Sequence, residues 1–285
     1  MIGIFDSGFG GLTVLKEIVK TNPDYNYIYL GDNARVPYGG RSQELIYQYT
    51  REAVEFLFKK DCKLVILACN SASSMALRRL QQEWLPKHYP KRRVLGVVRP
   101  IAEDVSSFGC KRVGIIGTKA TVVTNVYEKE IEKLEKVSPY QGEYPNDSEG
   151  EGFEKHKTQV YQIATPLLVP LIEESYNNKE VIRTIVSEYL EPLKEKGIER
   201  LVLACTHYPL LINEIREVMG DDCVVKNPAE IVAEKLKDYL ERHKDLDVKK
   251  GKSIKYYTTD SIEKFKEFGE KILDIENMDI EKTIL

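Results

Sequence analysis

The sequence predicts an α/β fold, on three observations. Short apolar runs alternate with amphipathic segments of helical period through most of the 285 residues, the pattern of a parallel sheet covered by helices. Two of those runs, LVILACNSAS at 64–73 and LVLACTHYPL at 201–210, end in the same Ala-Cys followed by a small polar residue. A third echo lies upstream: IGIFDSG at 2–8 resembles VGIIGTK at 113–119, and each precedes one of the Ala-Cys runs. Two similar α/β units facing one another account for the echo. So does the general likeness of any two parallel strands, and spacing alone leaves both open.

Taken in order, the apolar runs at 2–5, 27–30, 64–68, 94–98, 113–116, 201–204, 223–225 and 254–257 read as strands. Residues 12–19 read as a helix. Ser42 suits the N-cap of a helix whose apolar face carries Leu45, Tyr49, Ala53 and Leu57, and 120–134 reads as a second scaffold helix. The stretch 138–158 concentrates Pro, Gly, Asn, Asp and Glu without period, so it is expected to be a surface insertion or disordered loop that carries no chemistry. Residues 274–285 are expected to form a short packed or frayed end. Two domains are expected: 1–97 plus 208–285, and 98–207 containing the insertion.

Composition excludes several classes. Lys plus Arg, 42, nearly balances Asp plus Glu, 45, for a formal charge of −3, which provides no field for nucleic acid or an acidic membrane. No run of about 18 apolar residues marks a membrane span. Met1 is followed directly by a strand-like IGIF with no basic segment. A soluble, cytoplasmic protein is expected. The five cysteines are odd in number and lack C-x-x-C, which argues against a disulfide framework and a zinc site.

In open α/β sheets ligands bind beyond the carboxyl ends of strands, where helix N-termini offer free N–H groups. Cys69 and Cys205 sit at such ends, and a positive helix end is expected to lower their thiol pKa. Cys62, Cys110 and Cys223 have no comparable surroundings and read as small buried apolar residues. His207 follows Cys205 by two positions and is placed to share a proton with it. Asp6 ends a strand and is followed by glycines that allow close backbone approach. That string is neither G-x-G-x-x-G nor a Walker loop. It is like the phosphate turn of actin-like ATPases, but those lead into a hairpin strand, whereas 12–19 reads as a helix. The loop GDNARVPYGG at 31–40 offers Arg35 or Tyr38 to a carboxylated ligand, and the hydroxyls and amide of Ser7, Tyr38, Asn70, Ser71, Thr118, Thr121 and Thr206 suit a small anion. Two thiols at opposed strand ends fit a two-base exchange at a carbon stereocentre, one removing a proton and the other delivering one to the opposite face. That scheme needs no metal or organic cofactor.

The motifs IFDSGFGGLTVL, GDNARVPYG, ILACNSAS, VPLIEE and LACTHYPLL, in this order, resemble those of the glutamate racemases within the aspartate/glutamate racemase superfamily, over nearly the whole chain. The resemblance implies a cofactor-independent racemase of two pseudo-symmetric α/β domains with the site between them, usually a homodimer, supplying D-glutamate for peptidoglycan. It implies Cys69 and Cys205 as catalytic acid/bases, Asp6 assisting Cys69, and Glu173 and His207 assisting Cys205. Ser7, Pro37, Tyr38, Gly39, Asn70, Ser71, Thr118, Thr121 and Thr206 match positions that hold the substrate. Activation by a peptidoglycan precursor through an N-terminal extension, as in some relatives, is not expected. Glu173-Glu174 reads equally well as an ordinary exposed helix start. Ser71 stands where Thr is usual, Arg99 where Glu is common, and Asn227 where Asp is customary. An aspartate or hydantoin racemase would share the fold, and a one-cysteine decarboxylase is disfavoured by the second cysteine. A non-catalytic α/β protein would leave both thiols unreactive.

Overall fold

The computed structural model describes residues 1–137, 157–174 and 178–285. The first half contains β1 (Ile2–Asp6), α1 (Leu12–Thr21), β2 (Tyr27–Gly31), α2 (Gln43–Lys59), β3 (Leu64–Leu67), α3 (Asn70–Met75), α4 (Leu77–Arg79), α5 (Leu85–His88), β4 (Arg93–Gly96) and α6 (Val98–Phe108). It continues with β5 (Arg112–Gly117), α7 (Lys119–Val123), α8 (Val126–Val137), β6 (Gln159–Ala164), α9 (Leu168–Glu173), α10 (Lys179–Glu195) and β7 (Arg200–Ala204). The chain ends with α11 (Ile212–Met219), β8 (Val224–Val225), α12 (Pro228–Arg242), β9 (Ile254–Thr258), α13 (Ile262–Leu273) and β10 (Ile280–Lys282). The insertion expected at 138–158 lies outside the described residues apart from 157 and 158.

The strands form two parallel sheets, one of six in the order β10-β9-β2-β1-β3-β4 and one of four in the order β6-β5-β7-β8. The order 2-1-3-4 of the first sheet recurs in the second with β5 in the place of β1 and β7 in the place of β3. The echo between 2–8 and 113–119 is therefore structural: both segments are the strand beside a cysteine-bearing strand. The central strands β1, β3 and β7 are buried throughout, which is why they read as continuous apolar runs.

One hydrophobic cluster joins the units. It takes Ile2, Ile4 and Ile66 from the first sheet and Val113, Ile115 and Val202 from the second, through residues of α1, α6 and α12. The outer faces are covered separately, by α2 on the first sheet and by α10 and α11 on the second.

Several expectations change. Strand β8 pairs with β7, and Tyr208, Leu211 and Ile215 pack with Leu201 and Leu203, so the second unit continues beyond the boundary expected at 207. The helix expected over 120–134 is broken into α7 and α8 at Asn125, whose φ of 50° is left-handed. Asn tolerates that region better than other non-glycine residues, and its carbonyl accepts the amide of Lys129 in α8. The buried face of α2 runs along Ile46, Thr50, Ala53 and Leu57, a rotation from the expected Leu45 and Tyr49. Ser42 does cap it, accepting from the Leu45 amide at 3.4 Å. Edge strand β6 was not expected, because QVYQIA carries two glutamines on a half-exposed strand. The C-terminal segment holds β10, which extends the first sheet beside β9. Among the described residues no helix is long and apolar enough to cross a membrane.

Two departures from the resembled pattern are absorbed locally. Asn227 caps α12 by accepting the Ala229 amide at 3.1 Å, the task an Asp would perform. Arg99 pairs within the chain, with Glu103 at 2.9 Å and Glu130 at 3.2 Å.

Candidate active site

An open sheet of order 2-1-3-4 has its topological switch between the first and third strands, and the crevice there is the natural ligand site. In the first unit that point is flanked by Asp6, the last residue of β1, and Cys69, which follows β3 and caps α3. In the second it is flanked by Thr118, the cap of α7 after β5, and Cys205, directly after β7. The two switch points open onto one cavity of about 490 Å³ between the sheets.

Twelve of the fourteen site residues expected from the sequence line that cavity: Ser7, Pro37, Tyr38, Gly39, Cys69, Asn70, Ser71, Thr118, Glu173, Cys205, Thr206 and His207. Asp6 and Thr121 lie behind it, both fully buried. Thr121 is 3.2 Å from the Thr118 hydroxyl, which is itself 2.9 Å from that of Ser71. Asp6 accepts the Gly8 amide at 2.9 Å and, from the other unit, the Thr206 hydroxyl at 3.3 Å.

The glycines after Asp6 permit this proximity. A Cβ on Gly10 would lie 2.5 Å from both His207 Nδ1 and Thr206 Oγ1, and one on Gly11 would lie 2.4 Å from Asp6 Cβ. Thr13 reinforces the junction by donating its hydroxyl to the Thr206 carbonyl at 2.9 Å.

On the second unit, Cys205 Sγ lies 3.8 Å from His207 Nδ1, and His207 Nε2 lies 2.9 Å from Glu173 Oε1. Glu173 is the last residue of α9, and its carboxylate faces the imidazole rather than open solvent at a helix start. Burial disfavours charge on His207, but Cys205 and Glu173 outweigh it and push its pKa up to about 10. These partners therefore favour the imidazolium form of the ring.

Electrostatics differ on the first unit. Burial and the Asp6 carboxylate push the Cys69 thiol up to about 12, against the Ser7 hydroxyl and the Ala72 amide, each 3.5 Å from the sulfur. This corrects the expectation that the helix end lowers its pKa: α3 spans only Asn70–Met75, and desolvation beside an anion is the stronger effect. Asp6 is itself raised, by burial first, with His207, the Gly8 and Gly11 amides and the Thr206 hydroxyl drawing it back. Cys62 and Cys223, away from the site, are also pushed by burial up to about 12.

The loop at 31–40 resolves differently from expectation. Arg35 is committed to Asp32 at 2.6 Å and Glu52 at 2.5 Å and is absent from the cavity lining. Tyr38 donates its hydroxyl to Asp32 at 2.5 Å, so what it offers a ligand is its ring and backbone. Sequence reasoning missed Lys119, Thr165 and Tyr208, which also line the cavity. Lys119 was legible as the residue after the Thr118 cap. Thr165 sits after the unexpected β6, and its contact with the Tyr208 hydroxyl at 2.6 Å is set by folding alone. Among the described residues no group of three or more His, Cys, Asp and Glu side chains is placed to hold a metal ion.

Two pseudo-symmetric α/β units each direct a strand-end thiol, with titratable partners, into a shared cavity, an arrangement that matches the racemase class. The family model described as Asp/Glu/Hydantoin racemase matches residues 2–236, and the chain belongs to that family; it is an amino-acid racemase. It is 41% identical over 242 residues to a glutamate racemase of Geobacter metallireducens, covering 83% of this chain and 80% of that one. The crystal structure of a glutamate racemase isoform from Bacillus anthracis matches with a TM-score of 0.85 at 31% identity, covering 100% of this chain and 97% of that one. The glutamate racemase of Francisella tularensis, in complex with D-glutamate, matches with a TM-score of 0.81 at 29% identity, covering 100% and 96%.

Proposed function

We propose that this racemase interconverts L- and D-glutamate by two-base proton transfer between Cys69 and Cys205, without metal or organic cofactor. The observation that carries this is the pair of thiols at equivalent switch points of two like units, both lining one cavity. From L-glutamate, a Cys205 thiolate beside the His207 imidazolium takes the Cα proton. The Cys69 thiol delivers its proton to the opposite face, which leaves Cys205 as thiol and Cys69 as thiolate. D-glutamate runs the same path backward. Because the Cα–H is a very weak acid, both groups must be held against it in position. Glu173 holds the imidazolium, and Asp6, which accepts the Thr206 hydroxyl, favours the protonated form of the Cys69 thiol beside it. Ser7, Asn70, Ser71, Thr118 and Thr206, with the backbone of Pro37, Tyr38 and Gly39, bind the carboxylates and ammonium, and Thr121 holds the Thr118 hydroxyl from behind the cavity. The relative crystallised with D-glutamate supports the substrate. In the same reading the enzyme is a cytoplasmic homodimer that supplies D-glutamate for peptidoglycan.

The test is circular dichroism on L-glutamate and, separately, L-aspartate, using protein treated with EDTA and borohydride. Loss of the L-glutamate signal at an undiminished rate is expected. Turnover of aspartate alone, or abolition by either treatment, would overturn the reading.

A further inference from the structure

Asn70 lines the cavity, and its amide presents an oxygen on one side and an NH₂ on the other. Which of them faces the substrate is decided from outside the cavity. Tyr127, fully buried on α8 of the second unit, donates its hydroxyl to Asn70 Oδ1 at 2.6 Å across the junction between units. The ring is packed in the cluster that joins the two sheets, so the hydroxyl cannot turn to solvent. Reversing the amide would leave the buried phenol proton without its acceptor, a costly arrangement.

We infer that Tyr127 is a positioning residue for the racemase reaction, holding the Asn70 amide so that its NH₂ donates into the cavity toward a substrate carboxylate oxygen. The inference rests on the proposed glutamate reaction. When the Cα proton leaves, negative charge grows on the adjacent carboxylate, and a donor fixed beforehand favours that state over the ground state. Because Tyr127 and Asn70 come from different units, the same bond makes the donor available only when the units are correctly seated.

The test compares steady-state kinetics, in both directions, of wild type, Tyr127→Phe, Asn70→Ala, the double variant and Asn70→Asp. Tyr27→Phe is the control, because it deletes another buried tyrosine hydroxyl, bonded to the Asn22 carbonyl at 2.6 Å, away from the cavity. Tyr127→Phe is expected to lower kcat about 10-fold with KM changed less than about threefold, as for other residues that orient a ligating group. In the Asn70→Ala background its further effect should be under about twofold, since it acts through Asn70. Asn70→Asp keeps the acceptor for Tyr127 but replaces the inward donor by an oxygen, so it should fall below Asn70→Ala. Undiminished kcat in Tyr127→Phe, an equal loss in Tyr27→Phe, additivity with Asn70→Ala, or Asn70→Asp at or above Asn70→Ala would each overturn the inference while leaving the glutamate reaction intact. A wild-type chain inactive on glutamate would overturn both.

Discussion

Cys69 and Cys205 occupy the same place in two copies of one strand order, each after an Ala at the end of a strand beside the first strand of its unit. They are equally buried, at 5% and 6% exposure. Their surroundings are nonetheless opposite in charge. Cys69 has the Asp6 carboxylate as neighbour and is held as a thiol, whereas Cys205 has an imidazolium anchored by Glu173. Duplicated backbone thus places the two groups, and the side chains around them set the proton inventory. The key difference is the residue two positions on, Ser71 in one copy and His207 in the other. The proposed two-base reaction would use that asymmetry, because one group must begin with a proton and the other without.

Removing either thiol breaks the comparison altogether. Cys69→Ala and Cys205→Ala should each lower racemisation in both directions by roughly 10⁴-fold, as for loss of a group that acts as part of a unit. Each should retain elimination from one enantiomer of a 3-chloro or threo-3-hydroxy glutamate: the L form for Cys69→Ala and the D form for Cys205→Ala. Equal processing of both enantiomers by either variant would refute the pairing.

His207→Asn should make the two sides electrostatically more alike. Elimination from the L analogue is expected to slow about 10²-fold, in the range for a proton-transfer partner, with the D analogue changed less than about threefold. Equal slowing of the two would show that His207 does not belong to one side.

Gly10→Ala disturbs the seam where the halves meet. Its Cβ would fall 2.5 Å from His207 and Thr206, so destabilisation of about 1–3 kcal/mol is expected from overpacking, together with lost activity. Thermal melts and kinetics, set against Gly40→Ala where the added Cβ meets nothing within 4 Å, give the comparison.

The raised His207 also predicts a pH effect on stability. The folded protein binds this proton more tightly than the unfolded chain between the ordinary value of 6.5 and about 10. Its contribution is therefore complete below 6.5 and is lost as pH rises through 10. Wild-type Tm should fall more over that window than the Tm of His207→Asn, and parallel falls would contradict the assignment. The smallest effect is expected for Ser71→Thr, which adds one methyl and keeps the hydroxyl that meets Thr118 at 2.9 Å; a kcat/KM changed by less than about twofold, under about 0.4 kcal/mol of transition-state stabilisation, is the outcome to check.

Much of the first copy was legible because its residues cluster in sequence. Asp6, Ser7 and the glycines fall in one string, and Cys69, Asn70 and Ser71 in another, each at the end of an apolar run. Glu173 was less so: its string carries no mark that separates a ligand of histidine from a solvated carboxylate, and only the fold of α9 against the turn after β7 brings it to His207. Arg35 shows the converse. Its loop was read as a ligand site, yet two carboxylates from Asp32 and Glu52 claim the guanidinium. Tyr127 falls within the segment 120–134 that reads as a scaffold helix, and its partner Asn70 lies 57 positions away.

Alone, the sequence determined the α/β class, the two thiols and the strands that carry them, and left open whether the echo between 2–8 and 113–119 is a repeat. Apolar periodicity and the residues at strand ends are local properties, written within a few positions of one another. The tertiary structure decided that Cys69 sits beside Asp6 while His207 pairs with Glu173, that β8 belongs to the second unit, and that the Tyr127 hydroxyl meets the Asn70 amide oxygen. Each of those depends on burial and on charges or donors that arrive from distant positions: Asp6 beside Cys69, Glu173 beside His207, Tyr127 beside Asn70. Desolvation and Coulombic interaction act through space, so only the folded chain, with its two units seated against one another, sets them.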